Sequence, residues 1–315
     1  MLPLSRTFAT CANARDTFRG NNCMTADGRR ETTERLNYDA RTVEGFGHEW
    51  SSFDQTRLDE QERQELFDAY FKLFPWRELP PKAAGFDLGC GTGRWAKLVA
   101  PRVGQLYCVD ASAAALEVAQ RNLAACQNCE FVVASVDRLP FADASMDFAY
   151  SLGVLHHVPD TAAGIKACAD KLKPGAPLLL YIYYAFDNRP AWFRLLWRAS
   201  DALRRALSKL PFRLKRLVTE LIAVTVYWPL ARTARLLERM GRDVSAFPLS
   251  FYRQRSFYTM RTDALDRFGT ALEQRFTARQ IREMMEAAGL ERIQFSDAMP
   301  YWCAVGYKKE MMNAK

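Results

Sequence analysis

The chain has 315 residues, 49% hydrophobic, 25% charged and 12% aromatic, which suits one large domain or a domain with a subdomain and excludes a disordered, collagenous or coiled-coil chain. Its longest apolar stretch, residues 221–231 (LIAVTVYWPLA), falls short of the roughly 20 residues that span a bilayer and contains Pro229, so no membrane-spanning helix is expected. Eight cysteines are scattered, several inside apolar runs, in a chain large enough to fold without disulfide staples; the pattern points to a reducing, cytoplasmic compartment.

Residues 1–38 are rich in Arg, Thr and Asn and lack the apolar core of a secretory signal. They read as a mostly unstructured leader, with a cleaved organelle transit peptide as the alternative. Residues 39–80 read as a helical cap: Leu66, Phe67, Tyr70, Phe71 and Phe74 form one apolar helical face, and Pro75, Pro80 and Pro81 end it. Short apolar runs then alternate with helix-length amphipathic stretches. The expected order is strand 85–88, helix from about 94, strand 105–110, helix 112–125, strand 130–135, strand 146–152, helix 161–172 and strand 177–184. Strands alternating with helices imply βαβ units, and hence a doubly wound α/β sheet covered on both faces. Over 187–269 the alternation stops in favour of helices with Arg-rich faces, a helical insert or lid after the fifth strand. Residues 270–310 return to the core that 81–186 began, with an amphipathic helix ending at Gly289 and an antiparallel strand pair joined near Pro300.

The charge is local. Between Arg189 and Arg242 there are thirteen Lys and Arg against three acids (Asp201, Glu220 and Glu238), while the whole chain is +8. The pI of about 9.1 therefore describes one surface, and no specific nucleic-acid partner is expected from it. Cationic faces beside residues 221–231 would also suit peripheral contact with an anionic membrane. Aromatics and arginines of the insert could line an apolar acceptor pocket with anion contacts.

The strongest local signal is Asp87-Leu88-Gly89-Cys90-Gly91-Thr92-Gly93-Arg94, a glycine-rich turn between a strand and a helix. Glycines there let the backbone turn sharply and approach a ligand, with a helix N-terminus facing it. A dinucleotide fingerprint would need glycine where Arg94 stands, and no Gly-Lys-Ser/Thr follows for a P-loop. Asp110 ends the next strand, where an acid can accept from both hydroxyls of a ribose. The pairing indicates a nucleoside without a pyrophosphate; the competing role for Asp110 is to cap the following helix.

At these residues the sequence resembles the class I S-adenosylmethionine-dependent methyltransferases, in particular the small-molecule branch with quinone-biosynthesis and sugar O-methyltransferases. FDLGCGTG, YCVDAS, SVDRLPFADASMDFAYS, SLGVLHHVPD and LKPGAPLLLYIY match that family's motifs in order over about residues 80–185, with a looser match over 276–308. The resemblance implies a Rossmann-like methyltransferase sheet, with S-adenosyl-L-methionine as cofactor and S-adenosyl-L-homocysteine as product. It assigns the methionine end to Asp87, Gly89, Cys90, Gly91 and Gly93, and the ribose to Asp110 and Ala111. The adenine edge falls to Ser135, Val136 and Asp137, and Ser151 and Leu152 are also expected among the cofactor-binding residues. Where Ser135 stands the family commonly has an acid, so the adenine amino contact passes to Asp137. The segment Phe46 to Trp50 resembles a gate over bound cofactor, with Trp50 touching it.

His156 and His157 follow the fourth strand, at the carboxyl ends of the strands where ligands of open α/β sheets sit. Transfer to a hydroxyl needs an aligned acceptor and a proton acceptor near neutral pH, and imidazole supplies the latter. His157 is favoured over His156 as that base, with a rate rising through a pKa of roughly 6 to 7; a structural role for the pair is the alternative. No metal site is expected: adjacent histidines project differently, and Cys126-x-x-Cys129 has no second pair. The expected function is O-methylation of a small acceptor (a sugar, quinone or other secondary-metabolite hydroxyl), possible ligands including anionic or lipid-linked ones. The alternatives are an N- or C-methyltransferase, or an RNA or protein methyltransferase using the basic insert. The oligomeric state is open at this level.

Overall fold

The structure is a computed structural model and describes residues 37–310. The leader expected over 1–38 lies outside the described residues except at Asn37 and Tyr38. Asn37 already belongs to the fold: its side chain donates to the Asp160 carbonyl at 2.7 Å and accepts from the Asp160 N–H at 2.8 Å.

Two helices, α1 (Ala40–Ser52) and α2 (Glu60–Tyr70), precede the sheet, each started by an aspartate whose side chain accepts a backbone N–H of the first turn. The core follows in order: β1 (Ala84–Leu88), α3 (Ala96–Val99), β2 (Gln105–Asp110), α4 (Ala113–Asn122), β3 (Cys129–Val133), β4 (Phe148–Leu152), α5 (Thr161–Lys171) and β5 (Pro177–Tyr181). The insert contributes α6 (Ala191–Leu207), α7 (Phe212–Ile222), α8 (Trp228–Arg239) and α9 (Phe257–Gly269); α10 (Ala278–Ala287), β6 (Leu290–Phe295) and β7 (Cys303–Lys308) complete the core.

The seven strands run in the order β3-β2-β1-β4-β5-β7-β6. Strands β1 to β5 are mutually parallel, and β7 lies antiparallel between β5 and β6. The order reverses between β1 and β4, which leaves a crevice at their carboxyl ends. Both faces are covered: Ile165, Cys168, Ile281 and Met285 pack on one side, and Leu66, Phe67, Trp95 and Leu116 on the other. This is the doubly wound α/β sheet expected from the alternation of strands and helices.

Several elements differ from the sequence expectation for local reasons. The helix expected from about 94 has only one α turn, because Pro101 removes an N–H and the chain continues as a 3-10 turn from Ala100 to Arg102. The fifth strand stops at Tyr181, and Tyr184 makes an isolated parallel bridge to Phe276. The apolar run 221–231 is no single helix; residues 223–227 form a π-helical turn just before Pro229 in the first turn of α8.

The insert has its own small core, Ala223, Tyr227, Ala231, Met260, Ala264 and Phe268. It is tied to the cap through Glu62, which is buried and accepts from the Thr259 hydroxyl at 2.8 Å. Among the described residues, no helix is long and apolar enough to cross a membrane.

Candidate functional site

The glycine loop folds back over the end of β2. Gly89 and Cys90 donate to the Val109 carbonyl at 2.7 and 3.0 Å, and Gly91 donates to Asp110 Oδ2 at 2.9 Å. The fold of the loop needs positive φ at Gly89 (74°) and Gly91 (54°). A Cβ on Gly89 would lie 2.3 Å from Val154, and one on Gly91 would lie 3.2 Å from Trp50 Nε1. Trp50 thus sits directly against the loop, stacked on Phe46 of the same helix at 6.3 Å.

Asp110 does not cap the next helix. That position belongs to Ser112, whose side chain accepts from Ala115 N–H, while Asp110 Oδ1 accepts from Ser112 N–H at 2.8 Å. Each Asp110 oxygen therefore holds one backbone N–H and keeps acceptor capacity for another partner. Burial raises its proton affinity above that of an ordinary carboxylate. Asp87, one strand over, is buried, and neither its Oδ2 nor the hydroxyl of its neighbour Tyr150 makes a hydrogen bond of normal length among the described residues; burial, opposed by the Tyr150 hydroxyl, pushes its pKa up to about 8.

The remaining expected cofactor residues divide. Ser135, Val136 and Asp137 follow β3 on a 3-10 turn, with the Ser135 hydroxyl donating to Asp137 Oδ1 at 2.6 Å and the Asn37 N–H reaching Oδ2 at 3.4 Å. Ala111 links Asp110 to the Ser112 cap, half-buried. The Cys90 thiol is buried, which pushes its pKa up to about 11, and Cys108 is a side-chain neighbour. The Ser151 hydroxyl donates to the Leu88 carbonyl at 3.0 Å and keeps its acceptor lone pairs, and Leu152 packs against the aromatic side of the core.

The two histidines share a 3-10 turn from Leu155 to His157 after β4, yet their surroundings separate them. His157 Nδ1 lies 2.6 Å from the Leu272 carbonyl, so that nitrogen carries the proton and Nε2 is left with its lone pair, buried and without a partner among the described residues. Phe46 meets the His157 ring edge-on at 5.1 Å. His156 Nδ1 accepts from the Tyr183 N–H at 3.4 Å, so its Nε2, also buried and without a partner among the described residues, carries the proton and offers no lone pair; its ring stacks on Tyr183 at 3.8 Å, and its carbonyl accepts from Gln274 N–H. Burial lowers the proton affinity of His157, and lowers that of His156 further.

Sequence reasoning missed a group of acids beside this site. Glu49 is 4% exposed with Oε1 unpartnered, and burial, then Asp266 and Asp263, push its pKa well above the carboxylate range. Asp263, pushed up to about 6 by burial, accepts from the Tyr252 hydroxyl at 2.9 Å, and Asp266 accepts from Tyr183 at 2.5 Å. A signal was present for Glu49: it shares one helical stripe of α1 with Thr42 and Phe46, just ahead of Phe53 at the helix end, and a carboxylate on such a stripe is anomalous. A cavity of about 580 Å³ opens along α1 and α9, lined by Phe46, Glu49, Lys215 and Leu265 among others. Among the described residues no cluster of three or more potential ligands could hold a metal ion.

A family model described as a methyltransferase domain matches residues 86–180. The ubiquinone biosynthesis O-methyltransferase of Xanthomonas campestris pv. campestris is 31% identical over 187 residues, covering 58% of this chain and 73% of the relative. The probable tRNA methyltransferase 9B of Bos taurus is 30% identical over 141 residues, 39% of this chain and 30% of the relative. Among solved structures, the YcgJ protein of Bacillus subtilis aligns with a TM-score of 0.46 at 15% identity, over 80% of this chain and 100% of that one. The matched segment carries the glycine loop, Asp110 and the histidine turn on a sheet with the strand order described above. By its match to a relative over most of that relative's length, the chain belongs to the class I S-adenosylmethionine-dependent methyltransferases, and S-adenosylmethionine is its methyl donor.

Proposed function

We propose that the enzyme methylates a hydroxyl of a small acceptor enclosed beneath α1, with His157 as the base. The observation that carries this reading is the buried, unpartnered Nε2 of His157, whose tautomer is fixed by the Leu272 carbonyl. The donor supplies an electrophilic methyl group on a sulfonium, transferred in line to the acceptor oxygen. The residues at hand fit that donor. The orphaned Oδ2 of Asp87 suits a cationic methionine end, Asp110 has acceptor capacity for two ribose hydroxyls, and Gly89, Gly91 and Gly93 hold the positive φ of a tight turn between strand and helix. Val136 and Asp137 are then the adenine side, and Trp50 closes over the loop.

His157 takes the acceptor proton at Nε2 while Nδ1–H stays on the Leu272 carbonyl, so the charge that develops on the ring is shared with a fixed dipole. Phe46, Trp50 and the neighbouring aromatics exclude water from the path of the methyl group. His157 is only 4% exposed, which suits a small acceptor held inside the site. The test is transfer of a labelled methyl group to a panel of phenols, sugars and quinols; a protein that labels only RNA or polypeptide overturns the reading.

A second reading, an amine acceptor, rests on Glu49. A carboxyl group buried beside Asp263 and Asp266 would be relieved by a cation entering the adjoining cavity. Under this reading Glu49→Gln raises KM for amines by about tenfold or more and leaves hydroxyl acceptors unchanged.

The role of Asp87 has a pH signature. Its carboxyl is protonated in the free site below about 8, and a neighbouring cation favours the carboxylate. Donor binding therefore releases a proton, and affinity rises with pH and levels off above about 8. Calorimetry in two buffers of different ionisation enthalpy measures that release, and Asp87→Asn should abolish it.

A further inference from the structure

The insert turns an unusual surface outward. Trp192, Leu195, Leu196 and Leu203 are exposed along α6, Leu195 by 68%. Leu214, Leu217 and Leu221 repeat the pattern along α7, Leu217 by 67%. The spacing of three and four residues is that of a helix's core-facing stripe, yet both helices pack their other face against α9. Val224, Val226 and Trp228 continue the exposed apolar surface through the π-helical turn.

The exposed charges on these helices are of one sign. Seven arginines of α6, α7 and α8 are exposed and no acid of these helices is, although the exposed Asp243 follows α8. The three acids of the segment are all engaged by arginines: Asp201 with Arg204 at 2.8 Å, Glu220 with Arg261 at 2.8 Å and Glu238 with Arg253 at 2.8 Å. The exposed surface of these helices is therefore apolar with a large excess of positive charge. A two-fold contact with a second copy would set these arginines against one another with no acid to answer them. Phosphates of a nucleic acid would answer the charge but leave the leucines and tryptophans in water.

We propose that the outer face of α6, α7 and α8 docks on an anionic lipid bilayer, with the apolar stripes sunk into the acyl boundary and the basic side chains at the headgroups. This is the arrangement of an interfacial amphipathic helix, here spread over several consecutive helices. The docking is independent of which acceptor is methylated.

Vesicle flotation with the full chain tests it, using phosphatidylglycerol-containing vesicles and pure phosphatidylcholine vesicles. The protein should float with the anionic vesicles, weakly or not at all with the neutral ones, and less as salt is raised. Leu217→Glu combined with Leu221→Glu should lower the partition coefficient at least tenfold. Replacing Arg194, Arg198, Arg213 and Arg239 with Gln should lower it a hundredfold or more, since each basic residue near such a surface contributes roughly fivefold. Both variants should bind S-adenosylhomocysteine as the parent does, which reports an intact fold. Failure to float with anionic vesicles, or equal flotation with neutral ones, overturns the proposal. Self-association that the Leu217 and Leu221 changes abolish, without vesicle binding, assigns the face to a second copy and overturns it too.

Discussion

Replacing His157 with Ala is expected to lower turnover by roughly 100- to 10,000-fold while leaving the affinity for S-adenosylhomocysteine nearly unchanged, the range for loss of a general base. The neighbouring substitution should behave differently. His156 is fully buried, spends Nδ1 on the Tyr183 N–H and stacks on the Tyr183 ring. His156→Ala should therefore act first on stability, by about 2 to 4 kcal/mol for removal of a buried ring, and be read in a melting curve before it is read in kinetics. The pH profile carries the same distinction. Burial holds the His157 ring below its ordinary value of 6.5, so the acidic limb of the rate should be displaced to lower pH than the free imidazole expected from the sequence alone. Activity rises with pH as the ring loses its proton and levels off once it is neutral. Near-normal turnover of His157→Ala with saturating acceptor would mean that alignment alone drives the displacement. An amine that arrives with a free lone pair would then replace the hydroxyl as acceptor.

The parts of this molecule legible in the sequence are those whose physics is local. Strand β2 occupies 105–110 as expected, because QLYCVD is bounded by Gly104 and the Ser112 cap. The glycine loop announces a tight turn wherever it occurs. Roles assigned by resemblance were less visible, because a hydroxyl such as that of Ser151 can serve the sheet as well as a ligand. The acids around Glu49 were out of reach for another reason. Glu49 meets Asp263 and Asp266 across more than two hundred residues of sequence, and only the packing of α1 against α9 brings them together. The insert shows both sides of this. Its excess of positive charge could be counted from the chain, and Asp201 pairs with Arg204 at helical spacing within α6, but that Glu220 and Glu238 would be taken by Arg261 and Arg253 depended on tertiary neighbours. The outward leucines likewise had the periodicity of core residues, and periodicity does not say whether a face meets protein or something else.

Asp110→Ala should weaken donor binding by about 1.5 to 3 kcal/mol, or about ten- to 150-fold in Kd, the loss expected when charge-assisted hydrogen bonds to the ribose disappear. The same substitution strips acceptors from two backbone donors, the Gly91 N–H at 2.9 Å and the Ser112 N–H at 2.8 Å. One lies in the glycine loop and the other at the start of α4, so a fall in melting temperature should accompany the loss of affinity. Asp110→Asn separates the two contributions. Its carbonyl can still accept one backbone N–H, but its amide NH2 faces the other as a second donor and accepts nothing from a ribose hydroxyl. The asparagine protein should accordingly recover part of the stability and little of the affinity. Calorimetric titration with S-adenosylhomocysteine beside thermal unfolding of the three proteins measures both. A folded Asp110→Ala protein with unchanged Kd and a lowered melting temperature would reduce Asp110 to a tether between the loop and α4, and the ribose would need another acceptor.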